Sequence, residues 1–286
     1  MLESMAGEGV TVTFHGVRGS TPCCSPDLCH FGGNTSCVVV ELDGHEPIIF
    51  DMGTGLRPYG VGLGDAPVEA SILLTHLHWD HVQGLPFFKP LHQPGSRINV
   101  YGPPEDAKSL GQLFAGLMCT PYFPIGCDAV GGDVAFHDAE NGRFKIGDAD
   151  VLTRPVPHTG ATNGYRVEIG GRKIAYISDH QEPIDNPTFV DEGVLELADG
   201  VDLLIHDAQY TPEQFAERAL WGHSTMSYAC EVARQAGAEA LVLFHHDPDN
   251  TDARLSALVD NTRRYGDSLG LAAVIGAREG ESIKFD

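Results

Sequence analysis

The chain has 286 residues, 42% hydrophobic and 20% charged, which is the composition of an ordinary globular protein rather than a disordered or fibrous one. Forty acidic against 18 basic residues leave a formal net charge of −22. That balance argues against a broad phosphate-gripping surface, so a large nucleic acid is not an expected partner. A small anionic substrate stays compatible, because bound divalent cations reverse the field locally. Seven cysteines, an odd number in a chain long enough to bury its apolar surface unaided, read as reduced thiols. The first twenty residues show no basic segment followed by an apolar one, and no apolar stretch is long enough to span a bilayer. The expectation is no signal peptide, no membrane partner and a cytoplasmic location.

Short apolar runs rich in β-branched residues recur along the chain. In order they are VTVTFHGV, SCVVVEL, PIIFD, ASILLTH, RINVYG, DVLTRPV, NGYRVEI, RKIAYIS, VDLLIHD, ALVLFHH and LAAVIGA. Most are four to eight residues long and bounded by Gly, Pro, Asp or Asn, as buried strands are. Helical patterns fall at residues 103–118, 224–238 and 251–270, the last two opening on Ser/Thr caps and reaching Gly237 and Gly270. No linker, short-period repeat or low-complexity tract interrupts them. The N-terminal half is richer in hairpin-like pairs and the C-terminal half in strand–helix alternation. This inventory predicts an α/β fold, two sheets with helices packed outside, in a single domain over 1–286.

The stretch CCSPDLCH offers Cys23, Cys24, Cys29 and His30 as a small structural metal site, or a surface loop of free thiols. Richer still is THLHWDH, which places His76, His78, Asp80 and His81 directly behind an apolar run. Neutral imidazoles and carboxylates are the usual ligands of zinc and similar ions. His76 and His78 can turn toward one ion, while Asp80 and His81 face a second. Further ligands come from PVPHTG (His158), AYISDH (Asp179) and LVLFHHDP (His245 or His246), each behind its own apolar run. Asp179, with two oxygens, suits a bridge. His92 and His137 read as ordinary hydrogen-bonded residues.

This ordered set resembles the metallo-β-lactamase superfamily of metal-dependent hydrolases. The resemblance implies a four-layer αββα sandwich holding two divalent ions per chain. Zinc suits the ligands, with manganese or iron as alternatives. His76, His78 and His158 would hold the first ion, Asp80, His81 and His245 the second, and Asp179 would bridge. His245 is preferred over His246 because the superfamily's ligand directly follows the strand. Asp51, at the end of PIIFD, would hydrogen-bond a metal-bound imidazole from outside, or merely cap a turn. Two such ions lower the pKa of a shared water toward neutrality, so a bridging hydroxide becomes the expected nucleophile, for carbonyl and phosphoryl attack alike.

VDLLIHDAQY and GHSTMSYACEVARQAG are similar to the C-terminal part of the phosphodiesterase branch, which includes ribonuclease Z. There an acidic residue pairs with a histidine; the matching positions are Asp207 and His223. Asp207 is one methylene shorter than the glutamate of ribonuclease Z. With Asp80, these two are the catalytic candidates. Ser224 and Thr225 would contact the substrate or cap the next helix, and Asn34, in a GGNTS loop also typical of the branch, would contact the substrate or mark a hairpin entry. The basic, Gly/Pro-rich arm of ribonuclease Z has no counterpart. The region between His81 and His158 holds TPYFPIGCDAVGG, whose aromatic residues stack on a base or cover the core. The expected activity is therefore hydrolysis of small phosphodiesters such as cyclic nucleotides. A carboxyl-ester, thioester or lactone hydrolase with the same metals, and a non-catalytic metal-binding or sensing protein, remain the alternatives. A homodimer remains open.

Overall fold

The computed structural model describes residues 9–286. Strands β1 (Val10–Gly16), β2 (Cys37–Glu41) and β3 (Ile48–Phe50) form an antiparallel meander, which β4 (Glu69–Leu73), β5 (Arg97–Gly102) and β6 (Asp133–Asp138) extend in parallel. The second sheet repeats that plan. Its meander is β7 (Gly142–Ile146), β8 (Ala149–Pro155), β9 (Asn163–Ile169) and β10 (Arg172–Ile177), and its parallel part is β10, β11 (Leu203–Asp207), β12 (Leu241–Phe244) and β13 (Val274–Gly276). Finally β14 (Ser282–Phe285) returns to pair with β1. Each half thus combines hairpins with parallel strands, and the contrast expected between the halves is absent.

Both faces of the central strands are apolar because both are covered. Val38 and Val40 join Phe50, Tyr176 and Phe244 between the sheets, whereas Val39 points the other way, with Ile49 and Ile72. Phe50 and Tyr176 stack across the sandwich with ring centroids 4.7 Å apart. Helices α1 (Leu56–Gly62), α2 (Trp79–Val82) and α3 (Leu110–Leu117) cover the outer face of the first sheet. Over the second lie α4 (Glu192–Ala198), α6 (Met226–Ala236) and α7 (Asp252–Leu269), while α5 (Pro212–Arg218) buries none of its residues. The result is the four-layer αββα sandwich. Burying one such Val, Leu or Phe contributes roughly 1.5–3 kcal/mol, so these three apolar clusters hold the frame.

Helices α6 and α7 follow their sequence signals. Thr225 and Thr251 cap their first turns, and Gly237 and Gly270 end them at φ 65° and 81°, where only glycine sits without strain. The helix expected over 103–118 is shorter. Pro103 and Pro104 cannot continue a hydrogen-bonded turn, and Glu105 and Lys108 close a tight loop by mutual backbone bonds. α3 begins only where Ser109 and Gln112 form a capping box. No helix among the described residues is long and apolar enough to cross a membrane.

Parallel strands deliver their C-terminal ends to one edge of the sandwich. Asp51 follows β3, His76 follows β4, and Asp179, Asp207 and His245 lie after or at the ends of β10, β11 and β12. Residues far apart in sequence therefore meet on a rigid support.

Candidate metal centre

His76 is buried and its Nδ1 faces Thr75 Oγ1 at 3.0 Å, so Nε2 turns inward. The Nδ1 atom of His158 donates to Gly222 O at 2.7 Å, which leaves its Nε2 3.3 Å from His78 Nδ1. His76, His78 and His158 thereby bring three ring nitrogens within reach of one ion, and His78 lies on the exposed side of the group. Burial drives the pKa values of all three below the usual histidine range, and for His76 the neighbouring His81 adds to the effect. Neutral imidazole, the form that binds metal, is what this half holds.

The other half is built from Asp80, His81 and His245. Asp80 Oδ2 lies 3.2 Å from His81 Nε2 and 3.1 Å from His245 Nε2, and the two nitrogens are 3.3 Å apart. Burial would lower both imidazoles, but Asp179 and Asp80 outweigh it, joined by Asp51 for His81, and push the two upward. Burial works against ionising Asp80 and Asp179 too, yet the surrounding histidines hold both carboxyls well below their ordinary range. A cation binding here displaces protons, so its affinity rises with pH.

Asp179 lies between the halves. Its Oδ1 is 3.9 Å from His76 Nε2, 3.9 Å from His158 Nε2 and 3.5 Å from His245 Nε2. Its Oδ2 is 3.2 Å from His81 Nε2 without forming a hydrogen bond. His76 Nε2 is likewise buried with no partner. Buried polar atoms are rarely left so, and inward lone pairs facing carboxylate oxygens call for positive charge among them. The donor set fits two divalent ions.

Outside this cluster, Asp51 bonds His81 Nδ1 at 2.7 Å and also accepts from Thr75 N, Thr75 Oγ1 and Tyr176 OH. His245, not His246, faces the cluster. The second ring is turned away, bonded through Nε2 to Ala277 O and set edge-on against Phe31. Among the described residues, three of the five non-glycine positions at positive φ lie in or beside this network: Ser20, Asp51 and His245. Left-handed backbone in such residues collects where surroundings fix it.

Beside Asp179, His223 Nδ1 lies 2.9 Å from Asp207 Oδ2 and 3.7 Å from Asp179 Oδ1. The shorter aspartate still reaches the imidazole. Its carboxylate is held in turn by the backbone N–H groups of His180 and Gln209.

Three substrate-contact expectations meet a different arrangement. Ser224 is fully buried and donates its hydroxyl to His180 O at 2.6 Å. Thr225 Oγ1 accepts from Tyr228 N at 3.1 Å, as a helix cap. Asn34 gives its side-chain amide to Glu279 Oε1 at 2.6 Å, and its backbone carbonyl accepts from Val17 N and Arg18 N. The hydroxyls of Ser224 and Thr225 and the amide nitrogen of Asn34 are thus already bonded inside the fold. The cysteine loop likewise gathers no ligand set among the described residues; every such group lies in the His/Asp cluster. His92 and His137 bond Pro86 O and Asn99 Oδ1. Of PYFP, Tyr122 is 72% exposed and Phe123 meets Phe87 edge-on, beside an apolar cavity of about 230 Å³ that Trp79 also lines. Sequence reasoning missed Thr75, Tyr176 and Gln209. Their only signals were a polar residue in an apolar strand or beside a ligand.

Comparison with known proteins agrees with this architecture. A ribonuclease Z from Haloarcula marismortui is 28% identical over 280 residues, covering 82% of this chain and 85% of that protein. The metallo-beta-lactamase fold protein YhfI from Bacillus subtilis superposes with a TM-score of 0.71 at 19% identity, over 97% of this chain and 99% of that one. A diphosphatase of the PhnP family gives 0.69 at 21% identity, over 97% and 98%. Residues 50–246, which carry all seven candidate ligands, match the beta-lactamase superfamily domain, and the chain belongs to that superfamily.

Proposed function

We propose that this protein is a dinuclear metal-dependent phosphodiesterase acting on small phosphodiesters, cyclic nucleotides or cyclic phosphates among them. Metal-dependent hydrolysis is the coarser reading, and the His/Asp cluster supports it directly. His76, His78 and His158 would hold one ion and Asp80, His81 and His245 the other, with Asp179 between them. Two divalent cations in such a site supply Lewis acidity, lowering the pKa of water toward neutrality and neutralising charge on a phosphoryl oxygen; zinc suits the imidazole-rich set.

The single observation that favours phosphorus over a carbonyl is the Asp207–His223 pair beside Asp179. Asp207 fixes the ring through Nδ1, and His223 Nε2 makes no hydrogen bond within the described residues. It is placed to neutralise a phosphate oxygen or hold the proton that a leaving alkoxide takes. Carbonyl hydrolysis, with one fewer charged oxygen, has less use for such a group. Relatives named ribonuclease Z and a neighbour named a diphosphatase support attack at phosphorus.

Those ribonuclease names also favour a second reading, with RNA as the substrate. The net charge of −22 weighs against it, and most of the few cations are already paired with carboxylates, as Arg154 is with Glu196 and Arg172 with Asp202. The test sets bis-p-nitrophenyl phosphate and cyclic nucleotides against a structured RNA, aryl esters and lactones, each with wild type and His223→Ala. The proposal expects small-phosphodiester turnover that falls about 10²- to 10⁴-fold in the variant at unchanged metal content. Fast lactone or ester hydrolysis that ignores His223 would sink it.

A further inference from the structure

Gln209 lies two residues beyond Asp207 and is buried, with no role in the scheme so far. Its Oε1 is 2.8 Å from His245 Nδ1, and its Nε2 donates to Ser20 Oγ at 3.1 Å. The amide stands with its oxygen accepting from the imidazole and its nitrogen giving to the hydroxyl, the orientation that leaves His245 Nε2 unprotonated for a cation. His245 must then carry its proton on Nδ1, which frees the Nε2 lone pair that faces Asp80 and His81. Ser20 closes the circuit, since its backbone N–H donates to Asp80 Oδ2 at 2.7 Å. The backbone N–H of Gln209 donates to Asp207 Oδ1 at 3.0 Å, so the same residue touches the catalytic pair. Space allows no looser arrangement. A Cβ on Gly19 would run into the His245 ring and lie 2.9 Å from Gln209 Oε1.

We propose that Gln209 is a positioning residue that sets the tautomer of His245 and, through Ser20, locks His245 and Asp80 into one preformed half-site. It acts on the metal only through those two ligands, and the inference rests on the metal-hydrolase reading above. Outer hydrogen-bond partners of ligating histidines typically change metal affinity about 10- to 100-fold when removed.

The test compares wild type, Gln209→Met and Gln209→Glu. Met fills the space without an acceptor for Nδ1; Glu keeps that acceptor, and the Ser20 hydroxyl can turn to donate to its second oxygen. Each metal-free protein is titrated with zinc against a chromophoric chelator and with cobalt, whose visible spectrum reports ligand geometry. Thermal melts of the metal-free forms check folding. The expected result is that Gln209→Met keeps one tight site and binds the second ion about 10- to 100-fold more weakly, with an altered cobalt spectrum. Gln209→Glu should retain both sites. Two ions bound by Gln209→Met as tightly as by wild type, with the same spectrum, would overturn the assignment while leaving the hydrolase reading intact. Equal weakening of both sites would also overturn it, because the network touches only one half. If Gln209→Met melts far below wild type, Gln209→Glu carries the test alone, and loss of the second ion there refutes the acceptor role. A wild type that binds no metal would overturn both readings.

Discussion

Replacing Asp51 with alanine removes the acceptor that joins the two sheets beneath the metal cluster. Five buried donors reach it: Thr75 N at 2.8 Å, Thr75 Oγ1 at 2.9 Å, His81 Nδ1 at 2.7 Å, Tyr176 OH at 2.9 Å and Ser178 Oγ at 3.4 Å. Hydroxyls rotate, so Thr75 Oγ1 and Tyr176 OH can find other partners or an entering water. The backbone N–H of Thr75 cannot, and an orphaned buried donor costs about 1–3 kcal/mol, whereas His81 can move its proton to Nε2 beside Asp80 and Asp179. The metal-free protein should therefore lose about 2–3 kcal/mol, or about 4–12 °C in melting temperature for a chain of this size. Urea unfolding followed by circular dichroism, after dialysis against a chelator, measures it. Asp51→Asn separates support from metal binding. Its oxygen still serves Thr75, but its NH2 faces His81 Nδ1 and drives the proton onto Nε2, the nitrogen turned toward the cluster. That variant should stay within about 1–2 kcal/mol of wild type while losing about 10- to 100-fold in metal affinity. An alanine variant less than about 1 kcal/mol weaker would show that Asp51 does not tie the sheets together, and the argument would fail.

Two further outcomes concern residues that the sequence offered as substrate contacts. Thr225→Ala should cost about 1 kcal/mol, the loss of a helix cap, and leave KM for small phosphodiesters unchanged; a raised KM at wild-type stability would restore the substrate-contact role. Tyr122→Ala should alter stability by less than about 0.5 kcal/mol, since its ring is 72% exposed. If that ring stacks on a base, KM for cyclic nucleotides should rise about 2- to 10-fold, with no change for a phosphodiester lacking an aromatic group.

What could be read in the sequence was whatever is encoded locally or by residue type. THLHWDH announces a metal cluster because four ligating side chains crowd seven positions, and SCVVVEL announces a strand covered on both faces. Strands β6 and β7 went unseen because their side chains alternate between exposed and half-buried, leaving no continuous apolar run. GGNTS looks like a ligand loop, and nothing local in it shows that the Asn34 amide bonds Glu279, 245 residues away. Tyr176 serves Asp51 across 125 residues and Gln209 serves His245 across 36. Pairings of that kind, within one sheet or between the two, exist only once the fold has formed.

The same long-range pairings explain why the site can sit in a strained backbone. Ser20, Asp51 and His245 each hold a left-handed conformation at φ 62°, 58° and 58°, at about 1–3 kcal/mol apiece for a non-glycine residue. None could stay there on local preference. Asp51 is held by Thr75 and Tyr176, His245 by Gln209, and Ser20 by its bonds to Asp80 and Gln209. Every one of those tethers ends on a residue in or just beyond strands β4, β10 or β11, or on α2. Strain, tautomer and ligand direction are therefore set by the sandwich itself, before any cation arrives. Divalent ions bound there would inherit a cage that is already aimed, and the energy of binding them need not be spent on ordering the chain.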